Sequence, residues 1–120
     1  MSEDTPTYTT LDGSLIRELI RPERQGSRNT SLAEATVAPD QSTPRHRHRA
    51  SEVIYYILSG EGIVEIAARQ HEAHPGDAFL IPPGSEHRVT CIGGTPLRLL
   101  CLCSPPYEHD DTELTEGVLA

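Results

Sequence analysis

The chain predicts an all-β fold in a single domain, and three observations carry that expectation. Turn signals at Ser59-Gly60-Glu61-Gly62, Pro75-Gly76-Asp77, Pro82-Pro83-Gly84 and Gly93-Gly94-Thr95-Pro96 recur about every ten residues, the rhythm of a β-sandwich or barrel. The runs between them, such as Ile63-Val64-Glu65-Ile66-Ala67 and Leu97-Arg98-Leu99-Leu100-Cys101-Leu102-Cys103, are short and apolar. No repeat of solenoid period interrupts them. The 120 residues make one domain, able to bury roughly two-thirds of its unfolded surface.

Residues 1 to 30 read as an N-terminal arm with edge elements. The first ten are polar, Thr-rich and carry Pro6; Asp12-Gly13 marks a turn; Ser14 to Ile20 suits either a short helix or a strand, closed by Pro22. Residues 31 to 104 form the expected barrel. Its first strand is Ser31 to Val37, ending β-branched before the loop at Pro39-Asp40. Residues 105 to 120 are an acidic tail holding Glu108, Asp110, Asp111, Glu113 and Glu116, read as a solvated segment or a short helix capped by Asp110 or Thr112, with the option of folding back over a barrel mouth.

Charge and composition exclude several functions. Eighteen acidic residues against ten basic ones give a formal net charge of -8, which argues against nucleic acid or anionic membrane as partner. Every basic residue is arginine, so neither a lysine Schiff base nor a lysine-dependent phosphate loop is available. No apolar run reaches the length of a membrane span, and the start lacks a signal-peptide core. Three cysteines make no disulfide framework, and a reducing cytoplasm is the expected setting. Cys91, Cys101 and Cys103 are expected as small buried hydrophobes rather than soft ligands or redox thiols.

The chemistry concentrates at Thr43-Pro44-Arg45-His46-Arg47-His48-Arg49-Ala50-Ser51-Glu52. Successive strand side chains alternate faces, so His46 and His48 share one face as a chelating pair while Arg45, Arg47 and Arg49 share the other. That stripe is expected to be solvated, or to meet the acidic tail across a subunit interface. Downstream, a short apolar run ends in Pro82-Pro83-Gly84 and delivers a third histidine, His87. Three convergent imidazoles with open positions suit a catalytic ion better than a closed structural one. His71, His74 and His109 flank turns or lie in the tail, where surface histidine is the default.

Together these two stretches resemble the cupins, the family of small double-stranded β-helix (jelly-roll) barrels. The family's second signature fits at Gly76, Pro82, Gly84 and His87, with Cys91 standing where the family has Asn. In its first, His46 and His48 match and Asp40 replaces the opening Gly. The carboxylate of that signature has two candidate places. Counting forward from His48 it is Glu52; counting back from Gly60 it falls on Val53, the better anchored count, although a bulge at Glu52 restores the first. The resemblance implies a mononuclear divalent transition metal held by His46, His48 and His87. With Glu52 the set suits Mn, Fe or Ni, and without it the three-histidine set suits Zn or Fe. It also implies a homodimer joined sheet edge to sheet edge.

Fold does not fix function. The leading expectation is a metal-dependent enzyme in which the ion acts as Lewis acid on a small oxygenated substrate, in isomerisation or cyclisation, with metal-bound water or Tyr55 moving the proton. Tyr55 also reads as a core tyrosine with its hydroxyl at the pocket edge, and Tyr107 is a similar candidate. A phosphosugar would want basic residues in the pocket, where only Arg88 and Arg98 stand near barrel strands; a polyketide would want an apolar, aromatic-lined cavity. Two other readings stand beside this one: a three-histidine iron dioxygenase, and a non-catalytic module that binds a metal or small ligand.

Overall fold

The computed structural model describes residues 7–9 and 15–115. The turn expected at Asp12-Gly13 lies outside them. Among the described residues there are eleven strands: β1 (Thr7–Thr9), β2 (Leu15–Ile20), β3 (Ser31–Val37), β4 (His46–His48), β5 (Glu52–Ser59), β6 (Gly62–Ile66), β7 (Arg69–Ala73), β8 (Ala78–Ile81), β9 (His87–Cys91), β10 (Leu97–Ser104) and β11 (Thr112–Leu114). One short helix, α1 (Pro22–Gln25), starts at the proline and ends at Gly26. The strands form two antiparallel sheets, ordered β1-β2-β3-β10-β5-β8 and β11-β4-β9-β6-β7.

Alternation decides which residues face inward. In β5, Val53, Tyr55 and Ile57 are buried and Glu52, Ile54 and Tyr56 exposed, the period of two that a half-buried strand requires. The interior rows of β3 and β10 are graded by size. Leu97 and Leu99 oppose Val37 and Ala35, whereas further along Cys101 and Cys103 oppose Ala33 and Ser31. At the bulky end Ile57, Val64, Leu97 and Leu99 close a tightly packed core, each at most 1% exposed. At the small end the sheets cannot fill the space between them, and a pocket opens.

Both flanks are more structured than composition alone suggests. Residues 15 to 20 are a strand, paired with β3 and sending Ile16 into the core. The acidic tail makes a single turn of 3-10 helix, His109–Asp111, without a side-chain cap, and then β11. Thr112 lies opposite His48 and Leu114 opposite His46. The arginine stripe is satisfied inside the chain: Arg47 reaches Glu113 at 2.8 Å and Arg45 reaches Glu65 at 3.0 Å.

Two backbone positions explain departures from expected turn chemistry. Asp40, where the cupin signature carries glycine, has φ 63°, a left-handed conformation that aspartate tolerates better than most side chains. The two-residue connection between β6 and β7 is Ala67-Ala68, with φ 51° and 72°. Two positive values are the pattern of a type I′ hairpin, in which Asn-Gly is preferred and alanine is strained. Replacing Ala67-Ala68 with Asn-Gly is therefore expected to stabilise the fold by about 1–2 kcal/mol, a rise of roughly 5 °C in thermal unfolding midpoint. An unchanged or lower midpoint would contradict the strain.

Candidate metal centre

Strand β4 is short because Pro44 precedes it and the chain bends at Arg49-Ala50 after it, yet its three residues place His46 and His48 inward with Arg47 between them outward. The Pro82-Pro83-Gly84 turn, with Gly84 at φ 83°, starts β9 at His87. His46 lies directly opposite His87 in the only register pair that β4 and β9 share. A clamp on the outer face supports that single pair. Glu65 of β6 binds Arg88 of β9 at 2.8 Å and Arg45, next to β4, at 3.0 Å. Arg88, then Arg45, hold the Glu65 carboxyl below the usual carboxylate range against the opposing effect of its burial. The clamp thus works above the ordinary carboxylate pKa and weakens as pH falls through the lowered value.

The three imidazoles are 2%, 6% and 1% exposed for His46, His48 and His87, and their candidate ligand atoms all lie within 4.8 Å of one another. Their Nδ1 atoms point away from the centre. His46 Nδ1 is 3.0 Å from Pro44 O and His87 Nδ1 is 2.9 Å from Ser85 O. A carbonyl only accepts, so both nitrogens carry the proton and both Nε2 atoms carry a lone pair when neutral. His48 Nδ1 is 3.0 Å from Thr112 Oγ1, whose own proton goes to Glu108 O at 3.2 Å. Hence His48 also donates from Nδ1. Three buried imidazoles, each with Nδ1 turned to an oxygen and with candidate ligand atoms within 4.8 Å of one another, make a donor set that fits a divalent metal.

The structure brings together His46, His48 and His87, with Tyr55 beside them: its ring is 5.9 Å from that of His87 and the residue is 5% exposed. Glu52 is left out. It is exposed at the start of β5, while Val53, one residue on and therefore on the opposite face, is 2% exposed and lines the pocket. No bulge is recorded there; β5 stays in register with β10 from Glu52 through Ile57. Cys91, in the place of the family's Asn, is buried, with its thiol 3.1 Å from Thr95 O in the following turn.

The pocket above the histidines has a volume of about 60 Å³ and is mostly apolar, walled by Ile16, Ala33, Val53, Tyr55 and Cys101. Glu18, Arg21 and Tyr107 also line a second pocket of about 240 Å³, whose wall includes Glu23, Glu108 and His109. Arg21 donates to Tyr107 O at 2.7 Å and lies 3.2 Å from Glu23 and 3.8 Å from Glu18. Burial would lower its pKa, but the bond to Glu23 and the charges of Glu23, Glu18 and Glu108 outweigh that and raise it. Tyr107 Oη is 3.0 Å from His109 Nδ1, and its ring stands edge-on to His48. Arg88 and Arg98, the two barrel-strand arginines, do not line the pocket; Arg98 binds Glu34 at 2.6 Å. Sequence reasoning missed Arg21, Ser31 and Thr112. The available signal was the run of small inward residues, which marks where a cavity must be and therefore which flanking residues border it.

Residues 33–103 match the family described as Cupin domain. The chain is a member of the cupin family. This cupin is 45% identical over 109 residues to an uncharacterised protein of Methanocaldococcus jannaschii, covering 91% of the chain and 87% of that relative. It is 32% identical over 92 residues to an L-ectoine synthase of Bordetella parapertussis, covering 75% of the chain and 69% of that enzyme. Among solved structures it resembles Streptomyces Pac13, described as a nucleoside dehydratase, with a TM-score of 0.77 at 14% identity, covering 96% of this cupin and 88% of that chain.

Burial pushes the Cys103 thiol up to about 12, so at physiological pH it stands as a neutral thiol and a poor nucleophile. Because this value lies above the ordinary 9.0, the stability Cys103 contributes is present below about pH 9 and is lost as pH rises towards 12. In the folded protein at pH 8, iodoacetamide should leave Cys103 unmodified in mass spectra, and urea should expose it. Rapid native alkylation of Cys103 would contradict this burial.

Proposed function

We propose that this cupin is a metal-dependent enzyme acting on a small oxygenated substrate, in an isomerisation or cyclisation, with His46, His48 and His87 as the protein ligands. The observation that carries the reading is the cluster of three buried imidazoles, each with its Nδ1 against an oxygen, two of which, His46 and His48, line a mostly apolar pocket. Its kinship with an L-ectoine synthase supports an enzyme over a passive binder. When bound, a divalent ion would supply Lewis acidity toward a carbonyl or enediol oxygen.

The chain's own residues do the rest. Ile16, Val53 and Cys101 exclude water from the reacting atoms, which strengthens every charge interaction in the pocket. Tyr55 holds or moves a proton at its phenolic oxygen next to His87. Arg21 and Tyr107 stand between the inner pocket and the second one, lining both. Among the described residues Arg21 is the one arginine on the pocket wall, and it is engaged by carboxylates, which favours a compact, weakly charged substrate over a phosphate. The compact volume excludes a large fused-ring ligand from the inner chamber.

A homodimer in a cytoplasmic setting belongs to the same proposal, and an exposed apolar band supports the pairing. On the outer face of the six-stranded sheet, Leu80, Ile54, Leu102 and Leu32 follow one another across four strands in register, with Tyr56 beside Leu100 in the next row. Leu80 is 57% exposed and Tyr56 43%. This band suits face-to-face pairing better than pairing through an edge. Sedimentation should give a dimer, and Leu80→Glu a monomer.

Metal analysis of protein purified without chelator tests the central reading. About one ion per chain is expected in wild type and in Glu52→Ala, with less than a tenth of that in His48→Ala and His87→Ala. Tyr55→Phe should keep the ion and lower turnover by roughly 10²-fold, the scale of a lost general acid–base. Loss of metal in Glu52→Ala would overturn the three-histidine set. Oxygen consumption with Fe(II) and an added small substrate would move the assignment to a three-histidine dioxygenase, and no metal in any preparation would leave a binding barrel.

A further inference from the structure

Two of the three histidines are oriented locally and one is not. His46 and His87 each bond the carbonyl two residues upstream, Pro44 O and Ser85 O, so the loop that delivers the side chain also sets its tautomer. His48 depends on Thr112, a side chain from the C-terminal segment 64 positions away. Unlike a carbonyl, a hydroxyl can donate or accept, so it fixes the imidazole only if its own proton is committed elsewhere. Here it is committed: Thr112 Oγ1 donates to Glu108 O, one turn earlier in the same segment.

The geometry points to Thr112 as a positioning residue that holds His48 in the Nδ1–H tautomer and so leaves its Nε2 available for metal. This inference rests on the metal-centre reading and gives the acidic tail a role in the centre. The segment is built to present that hydroxyl. Asp111 accepts from the backbone N–H of Ala50 at 2.8 Å and of Ser51 at 3.1 Å, just beyond β4. Asp111 O accepts from Arg49 N, and Arg45 O accepts from Thr115 N, each at 2.9 Å, so Thr112 is pinned on both sides. The Arg47–Glu113 ion pair adds a side-chain tie on the outer face. The pairing of β11 with β4 places Thr112 opposite His48. Without the hydroxyl, His48 has no fixed acceptor at Nδ1, and in the metal-free protein the Nε2–H tautomer becomes accessible, which must be reversed before a metal can bind.

The test compares wild type, Thr112→Val, Thr112→Ser and Arg47→Ala. Valine keeps the shape and removes the hydroxyl; serine keeps the hydroxyl; the arginine variant loosens the segment without touching it. Long-range ¹H–¹⁵N spectra of the metal-free proteins at pH 8, where imidazoles are neutral, read the His48 tautomer. Competition with a chelator reads Zn²⁺ affinity. Expected are Nδ1–H at His48 in wild type, Thr112→Ser and Arg47→Ala, a mixture or Nε2–H in Thr112→Val, and a 10- to 100-fold weaker Zn²⁺ dissociation constant in Thr112→Val alone. Unchanged tautomer and affinity in Thr112→Val would overturn the inference, as would Nε2–H at His48 in wild type, a result that holds even if the valine variant fails to fold. Equal weakening in Arg47→Ala would assign the effect to tail docking and overturn it as well. If wild type binds no Zn²⁺, the metal reading fails separately, and the tautomers alone decide the role of Thr112.

Discussion

The centre depends on one cross-strand pair. His46 and His87 are far apart in the chain and meet because β4 and β9 share a single register position, at which they stand opposite each other. A slip of one residue in either strand would turn its histidine outward and bring an arginine in, since Arg47 and Arg88 follow immediately. One pair is a thin basis for a register. Glu65 compensates from the outer face by holding Arg45 and Arg88, the neighbours of the two histidines, on one carboxylate. The inner face of the sheet supplies neutral donors and the outer face supplies the charge that keeps them aligned.

The opposing sheet makes room. Its interior rows fall from leucine and valine to cysteine, alanine and serine, so the same two strands that close the core at one end leave it open at the other. Cavity and ligands therefore come from different sheets. The ligands are set by turn geometry and backbone carbonyls, and the walls by side-chain volume.

Much of this was legible beforehand. Two histidines one residue apart on a strand, and a third behind a Pro-Pro-Gly turn, pointed to the three-histidine cluster, because strand alternation and turn position are local properties. Counting back from Gly60 placed Val53 inward, and it holds because Gly60 has φ 84° and a side chain there would come within 2.5 Å of Pro96 O, so the turn cannot shift. Less legible was everything that depends on distant partners. Residues 15 to 20 read equally as helix or strand because only β3 decides between them. The tail stayed open between a solvated segment, a short helix and a fold-back because Glu113 and Asp111 show their use only once Arg47 and the Ala50-Ser51 backbone are beside them. Arg21 was invisible for the same reason: its partners Tyr107 and Glu108 come from the far end of the chain.

The grading of the interior rows has a consequence for how such a protein diversifies. Ser31, Ala33, Cys101 and Cys103 shape the chamber, yet none of them is among the histidine donors. A methyl group gained or lost at any of the four would resize the chamber while the donor atoms stayed where Pro44, Ser85 and Thr112 hold them. Chamber size and donor placement are thus separately heritable, and a lineage can explore the first by single substitutions without forfeiting the second.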